Sequence, residues 1–256
     1  MKIINKSRLG ALRRNKLYGN PGTPEGRSKG GKTTALLFKN NPGLAKPLGF
    51  VVRKTISYPN KSSELAEFIG IVLGDGGMLG NHQVRVSFNY QTDFKYAEYI
   101  RDLVKNLFSV DCFIGKRKNG NGADLVVSSS NLIDYLIAQG MTTGHKVKNQ
   151  VDAPVWVKEN LEYRIACVRG LIDTDGGVYL HQYKVGGKNY KYLKLCFTNC
   201  SRPILKFVLN TLHLLKIKAY ETGWHISIQS KSGVKQYLKE IGSHNPKHIE
   251  RFKLHF

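Results

Sequence analysis

Two short phrases hold the residue types that could do chemistry. RGLIDTDGG, residues 169–177, runs an apolar turn into Asp173 and Asp175 and then stops at two glycines. IGIVLGDGG, residues 69–77, sets Asp75 in the same relation to its own glycines. Upstream of Asp75, Leu65, Phe68, Ile69, Val72 and Leu73 nearly encircle a helix, and a helix that is apolar on all sides has to be buried. Gly70 and Gly170 occupy matching places in the two phrases. Glycine costs roughly 1 kcal/mol inside a helix, so each needs a packing reason, and the simplest is two helix backbones in close approach. If the two helices are partners, Asp75 and Asp175 meet at one edge of their interface. Carboxylates are disfavoured at helix C-termini, and adjacent carboxylates repel each other. A divalent cation relieves both problems, and Mg²⁺ in particular takes few carboxylates, keeps waters and accepts phosphate oxygens. The chemistry implied is metal-assisted work on a phosphodiester. Two unrelated Asp-Gly turns would not share a preceding apolar helix, an internal glycine and a following Gly-Gly. A calcium loop of the EF-hand kind is not matched either, since no glutamate closes a twelve-residue loop after DTDGG.

The elements that must position these acids follow the same order twice. In the first passage a helix over 64–75 leads to a strand over 83–88, then to a helix over 93–108 with Thr92 or Asp93 as its N-cap. A hairpin around Asn119–Gly122 and a short helix closed by Gly140 complete it. In the second, a helix over about 162–175 precedes a hairpin over 178–198 that turns at VGGKN. A helix follows Ser201, with Pro203 in its first turn, then the strand GWHISIQS and a helix capped near Ser232. Residues 151–162 join the two passages.

The chain has 256 residues and a formal net charge of +22. Such a surplus attracts polyanions and favours nucleic acid as partner. Anionic lipid is the competing reading, and no strongly amphipathic basic helix supports it. No apolar run is long enough to span a bilayer. Residues 1–60 hold thirteen Lys and Arg against one acid, Glu25, and show no apolar period. They read as a flexible basic arm or small accessory element; a transit peptide would look similar. Within them GRSKGGKT, residues 26–33, matches the phosphate-binding loop pattern, but YGNPGTPE before it cannot be the buried strand that motif requires. Lys29 and Lys32 instead suit a segment that tracks a DNA backbone or minor groove, with no nucleotide cofactor. Of the four cysteines, Cys167 sits in an apolar helix. Cys196 and Cys200 lack zinc-finger spacing relative to His244 and His248. Structural cysteines in an intracellular, reducing compartment are expected, whether cytoplasm, nucleoid or organelle.

Over about residues 61–256 the doubled motif resembles the single-chain, two-motif form of the LAGLIDADG homing endonucleases. The resemblance implies an α+β fold of two pseudo-symmetric αββαββα halves, 61–150 and 151–256, packed through their motif helices. Each half would supply a curved antiparallel sheet for the DNA major groove, and the basic segment 1–60 would contact DNA as well. The acid before the final motif glycine is catalytic and metal-binding in that family, which here means Asp75 and Asp175, with Gly74 and Thr174 grouped at the same metal site. The family often has an acid where Leu73 stands, and Asp173 keeps it in the second motif. A basic residue late in each half transfers to Lys146, with Lys148 as alternate, and to Lys247. Base readout falls to strand residues opposite the core: Arg85 and Ser87 in the first half, Tyr192, Lys194, His225, Ser227 and Gln229 in the second. The implied activity is divalent-metal hydrolysis of both strands of a long, asymmetric site by a monomer. Mg²⁺ is the expected ion, and Mn²⁺ or Ca²⁺ could occupy the same site. A non-cleaving binder on the same fold, an intron maturase or a DNA-binding regulator, is the alternative. A protein-splicing element is set aside because the chain ends in LHF.

Overall fold

A computed structural model describes residues 6–19, 22–49 and 52–254. They divide into two compact units, Met1–Arg53 and Lys54–Phe256.

The first unit is helical: α1 (Lys6–Tyr18), α2 (Pro24–Asn40) and α3 (Pro42–Ala45). Thr23 starts α2 by accepting the Gly26 amide at 3.0 Å, and Pro24 fills the first turn where its missing N–H costs nothing. The segment read from sequence as an arm without period is therefore a set of helices, although no residue of α2 is buried. The whole of GRSKGGKT lies inside α2, and none of its glycines adopts positive φ. A phosphate cradle made of loop amides is not available there.

The second unit repeats one order twice. The first half comprises α4 (Ser63–Leu73), β1 (Gly76–Leu79), β2 (Gln83–Asn89), α5 (Phe94–Phe108), β3 (Phe113–Lys116), β4 (Gly122–Ser128) and α6 (Ser130–Ala138). Short helices α7 (Lys146–Asn149) and α8 (Val155–Glu159) follow. The second half comprises α9 (Leu161–Asp175), β5 (Gly176–Val185), β6 (Lys188–Thr198), α10 (Arg202–Leu214), β7 (Tyr220–Thr222), β8 (His225–Ile228) and α11 (Lys231–Glu240), and α12 (Pro246–Lys253) ends it. Each half has one antiparallel four-stranded sheet, ordered β1-β2-β4-β3 and β5-β6-β8-β7.

The centre is the α4–α9 pair. A methyl group on Gly70 would strike the Cys167 carbonyl, and one on Gly170 would strike the Glu67 carbonyl and stand 2.9 Å from the Ile71 amide nitrogen. The two backbones touch where the matched glycines sit, for the reason the sequence suggested. Around them Leu65, Phe68, Ile69 and Ile71 from α4 and Val168, Leu171 and Ile172 from α9 are fully buried. Strands alternate as expected: Val84 and Val86 face the core, as do Leu193, Leu195 and Phe197. Gly186 and Gly187, both at positive φ, make the two-residue turn between β5 and β6.

Four details differ from the sequence reading. Helix α4 stops at Leu73, leaving Asp75 beyond its end, whereas Asp175 is the last residue of α9. Asp93 stands at the N-cap of α5 but makes no capping bond, because its carboxylate is held elsewhere. Ser230, not Ser232, caps α11 by accepting the Gly233 amide. Helices α7, α8 and α12 were not foreseen, being too short or too polar to show a period, and strands β1 and β7, which the αββαββα order expects, were not placed on particular residues.

Candidate functional site

Asp75 and Asp175 come together where α4 and α9 end, their carboxylates within hydrogen-bonding reach of each other. Helix α9 presents Asp175 half-buried, and Asn199 fixes it by donating from Nδ2 to Oδ2 at 2.8 Å. Burial and the neighbouring Asp75 charge push Asp175 up to about 6, against the pull of Lys146 and Asn199. Asp75 is exposed at the mouth of the site, yet the protein packed round its carboxylate raises its pKa too. Lys146 opposes that rise, while the charge of Asp93 adds to it. Both acids are therefore pushed toward protonation, first by withdrawal from water and then by neighbouring negative charge.

Lys146 answers part of that need. Its Nζ donates to the Leu73 carbonyl at 3.0 Å and to the Gly74 carbonyl, so it closes the free C-terminal end of α4. Burial lowers its pKa, and the two aspartates raise it in return. Lys148, two residues on, is exposed. In the second half the corresponding lysine behaves differently: Lys247 pairs with Asp93 at 2.6 Å. Burial works to raise the Asp93 carboxyl, but hydrogen bonds from Lys247 and Thr92 outweigh it and leave it below its usual value. Lys247, Asp93 and Asp75 share the wall of a cavity of about 60 Å³, together with Asp173 and Tyr96. Among the described residues the Tyr96 hydroxyl has no hydrogen-bond partner, and burial holds its pKa well above normal.

Asp173 does not join the pair. It is 2% exposed and accepts from Ser243 Oγ at 2.5 Å and the His244 amide at 2.7 Å. Asn245 donates to its carbonyl at 3.0 Å. The acid thus ties down residues 243–245, the turn that launches α12 and with it Lys247. The same turn is held from the first half. Glu67, buried in α4, accepts from His244 at 2.7 Å and from Tyr99 at 2.8 Å, and Arg169 of α9 donates to it at 3.1 Å.

Metal donors at Gly74 and Thr174 are less free than at the acids. The Gly74 carbonyl takes the Lys146 bond, and the Thr174 hydroxyl donates back to Gly170 and Leu171 along its own helix. Among the described residues no group of three or more His, Cys, Asp or Glu forms a ready metal cluster. The donor set is two hard carboxylate oxygens groups plus backbone, which fits an oxygen-seeking divalent cation that draws its remaining ligands from water and phosphate. Cys196, in β6, and His248, buried against Asp173, are accounted for separately from any zinc site.

The sheet residues fall as read. Arg85 and Ser87 lie opposite the buried Val84 and Val86. Tyr192 and Lys194 share a face with Ser227, through the Cys196–Ser227 pairing, and His225 lies on that face too. Gln229 follows the end of β8 and donates to Ser227 at 3.2 Å. Ser87 donates to Asp124 at 2.8 Å and receives Arg117 at 2.8 Å. Arg117 and Asp124 are further candidates on this sheet that the sequence did not single out, although it did read a hairpin there. Lys29 and Lys32 are exposed on α2.

Residues 162–245 match the family model of a LAGLIDADG-like domain. No curated protein matches the chain. Among solved structures, I-DmoI in complex with DNA and Ca is 18% identical, with a TM-score of 0.50 over 75% of this chain and 98% of that one. The meganuclease I-SmaMI bound to uncleaveable DNA is 9% identical, with a TM-score of 0.49 over 72% of this chain and 86% of that one. Full-length DUF199/WhiA from Thermatoga maritima is 16% identical, with a TM-score of 0.49 over 77% of this chain and 62% of that one.

Proposed function

We propose that this chain, which carries a LAGLIDADG-like domain in its second half and has the α+β fold of the LAGLIDADG homing endonucleases, is a site-specific endonuclease that cuts both strands of duplex DNA with a divalent metal. One observation carries the reading: two pseudo-symmetric helices deliver one carboxylate each to the same point, and both carboxylates are raised toward protonation there. No packing need explains that cost, and a bound cation would relieve it.

Asp75 and Asp175 would hold the metal, with backbone at Gly74 and Thr174 beside them. When bound, a divalent cation supplies a Lewis acid that activates water and steadies the leaving oxygen. The chain's own groups do the rest. Asn199 orients Asp175, and Lys146, half withdrawn from water between the two acids, is placed to stabilise charge on a phosphate. Asp93 keeps Lys247 directed at the cavity beside Asp75. The exposed faces of the two sheets carry the base-reading residues, polar in β2 and mixed tyrosine and cation in β6. Two different halves in one chain suit a monomer on an asymmetric site. The +22 surplus supplies salt-dependent attraction to any duplex.

A second reading is a non-cleaving binder on the same fold. Lys146 favours it to one extent, because its ammonium already meets part of the charge of the acid pair. The test is a cleavage selection on a randomised duplex library with Mg²⁺, with a chelator control. A defined cut sequence supports the nuclease. Tight, salt-dependent binding without any cut under Mg²⁺ or Mn²⁺ supports the binder.

A further inference from the structure

Arg164, one turn into α9, has chemistry that the catalytic edge does not use. It is partly withdrawn from water, and burial lowers its pKa. No carboxylate among the described residues pairs with it. One terminal nitrogen donates to the Lys158 carbonyl at 2.9 Å, its guanidinium lies over Phe207 at 5.1 Å, and its buried Nε has no partner. A half-buried cation is ordinarily paired, because withdrawal from water costs more than packing returns.

The space around it is a pocket of about 300 Å³ lined also by Lys158, Arg202, Lys206, Asn210 and Asp152. Two of these cations are already met: Lys158 by Asp152, and Arg202 by Glu221 at 2.9 Å while it stacks on Trp224 at 3.8 Å. Arg164 and exposed Lys206 remain without an acid, with the Asn210 amide beside them. The remaining guanidinium nitrogen of Arg164, an ammonium and a neutral donor lining one space suit a tetrahedral oxyanion.

Arg164 lies away from the cleavage edge along α9, while Arg202 at the pocket's other end stands three residues from Asn199, which holds Asp175. Arg164 lies eleven residues before Asp175, about 16 Å along α9 at 1.5 Å per residue. Helix α10, which carries Arg202, Lys206 and Asn210, buries Ile204, Leu205 and Val208 and packs against β7 and β8 from the core side. The face that carries Lys194, His225 and Ser227 points the other way.

We propose that the pocket between α8, α9 and α10 binds a phosphoryl group, free or in the backbone of a second nucleic-acid strand, independently of duplex bound on the sheets. The test uses the full chain and two variants, Arg164→Gln and Lys206→Glu; the second alters an exposed side chain and guards against a folding artefact. In the first arm, inorganic phosphate is titrated by calorimetry. Saturable binding, weakened about tenfold or more in both variants, is expected, as for loss of one charge-assisted contact. In the second arm, a labelled single-stranded RNA is added to protein already saturated with unlabelled random duplex. Retained RNA binding that both variants weaken, with duplex affinity unchanged, assigns the pocket to a second strand. Phosphate binding without RNA binding assigns it to a free phosphoryl ligand. No saturable phosphate binding, or equal binding by wild type and both variants, overturns the proposal.

Discussion

Gly170→Ala is the sharpest test of how the two acids are brought together. At an open helical position glycine to alanine stabilises by up to about 1 kcal/mol. At Gly170 the added methyl would stand 2.9 Å from the Ile71 amide nitrogen and closer still to the Glu67 carbonyl. Comfortable contact begins near about 3.5 Å, and the Glu67 carbonyl would stand well inside it, so the helices must part by roughly an ångström. The opposing group is backbone on a buried helix, which cannot rotate aside. Overpacking of this kind costs about 1–3 kcal/mol, enough to reverse the propensity gain. In a domain of this size that is a fall in Tm of about 2–12 °C. Parting the helices also parts Asp75 from Asp175, so cleavage should fall more than stability accounts for. Gly30→Ala in α2, where a methyl meets nothing within 4 Å, is the control and should stabilise or do nothing. Differential scanning calorimetry on both variants decides it. A Gly170→Ala protein as stable as wild type would refute the close approach of the backbones.

Three further outcomes are expected. Asp175 holds its proton more tightly folded, at a pKa of about 6, than it does unfolded; its own contribution to metal-free stability is therefore fully present at acid pH and is lost as pH rises through about 6. Mg²⁺ should then raise Tm at about pH 7.5 and do little at about pH 5, and equal stabilisation at both would contradict the site. Asp173→Asn turns one of the two carboxylate oxygens that hold Ser243 and the His244 amide into an NH2 donor facing a donor; a loss of about 1–3 kcal/mol is expected with a fall in cleavage rate, and an unchanged Tm would show that the turn is anchored otherwise. Removing residues 1–53 should leave a folded chain with weaker DNA binding and a shallower salt slope, by about 0.9 per lost phosphate contact; unfolding of the truncated chain in circular dichroism would show that the first unit belongs to the core.

What the sequence made legible was local or repeated. The all-round apolar helices, the matched Gly70 and Gly170 and the two acids lie within one phrase each, and the phrase occurs twice, so their meeting could be argued from helix geometry. The strand faces of Arg85, Ser87, Tyr192 and Lys194 followed from alternation. What escaped depends on contacts between distant segments. Asp93 looked like a helix cap, and only the fold shows Lys247 taking its carboxylate. Asp173 looked like a second motif acid, but it is a buried anchor for the turn before α12. The link between Lys146 and the end of α4 joins residues more than seventy apart, through a helix of four residues with no period to read. Residues 26–33 show the converse: the motif matched letter for letter, and the helix started by Thr23 gave those letters another structure.

The central claim is that Asp75 and Asp175 jointly hold a metal that cuts DNA. It is tested most directly by single-turnover cleavage of a selected duplex by wild type, Asp75→Asn and Asp175→Asn across a Mg²⁺ titration, with duplex affinity measured in parallel in Ca²⁺. Each variant removes a charged metal ligand while keeping side-chain size. The account predicts that each loses double-strand cleavage, by at least about a hundredfold as for loss of a catalytic charge-stabilising group, while duplex affinity stays within about threefold. Full cleavage by either variant, or wild-type cleavage unaffected by chelation, would contradict it.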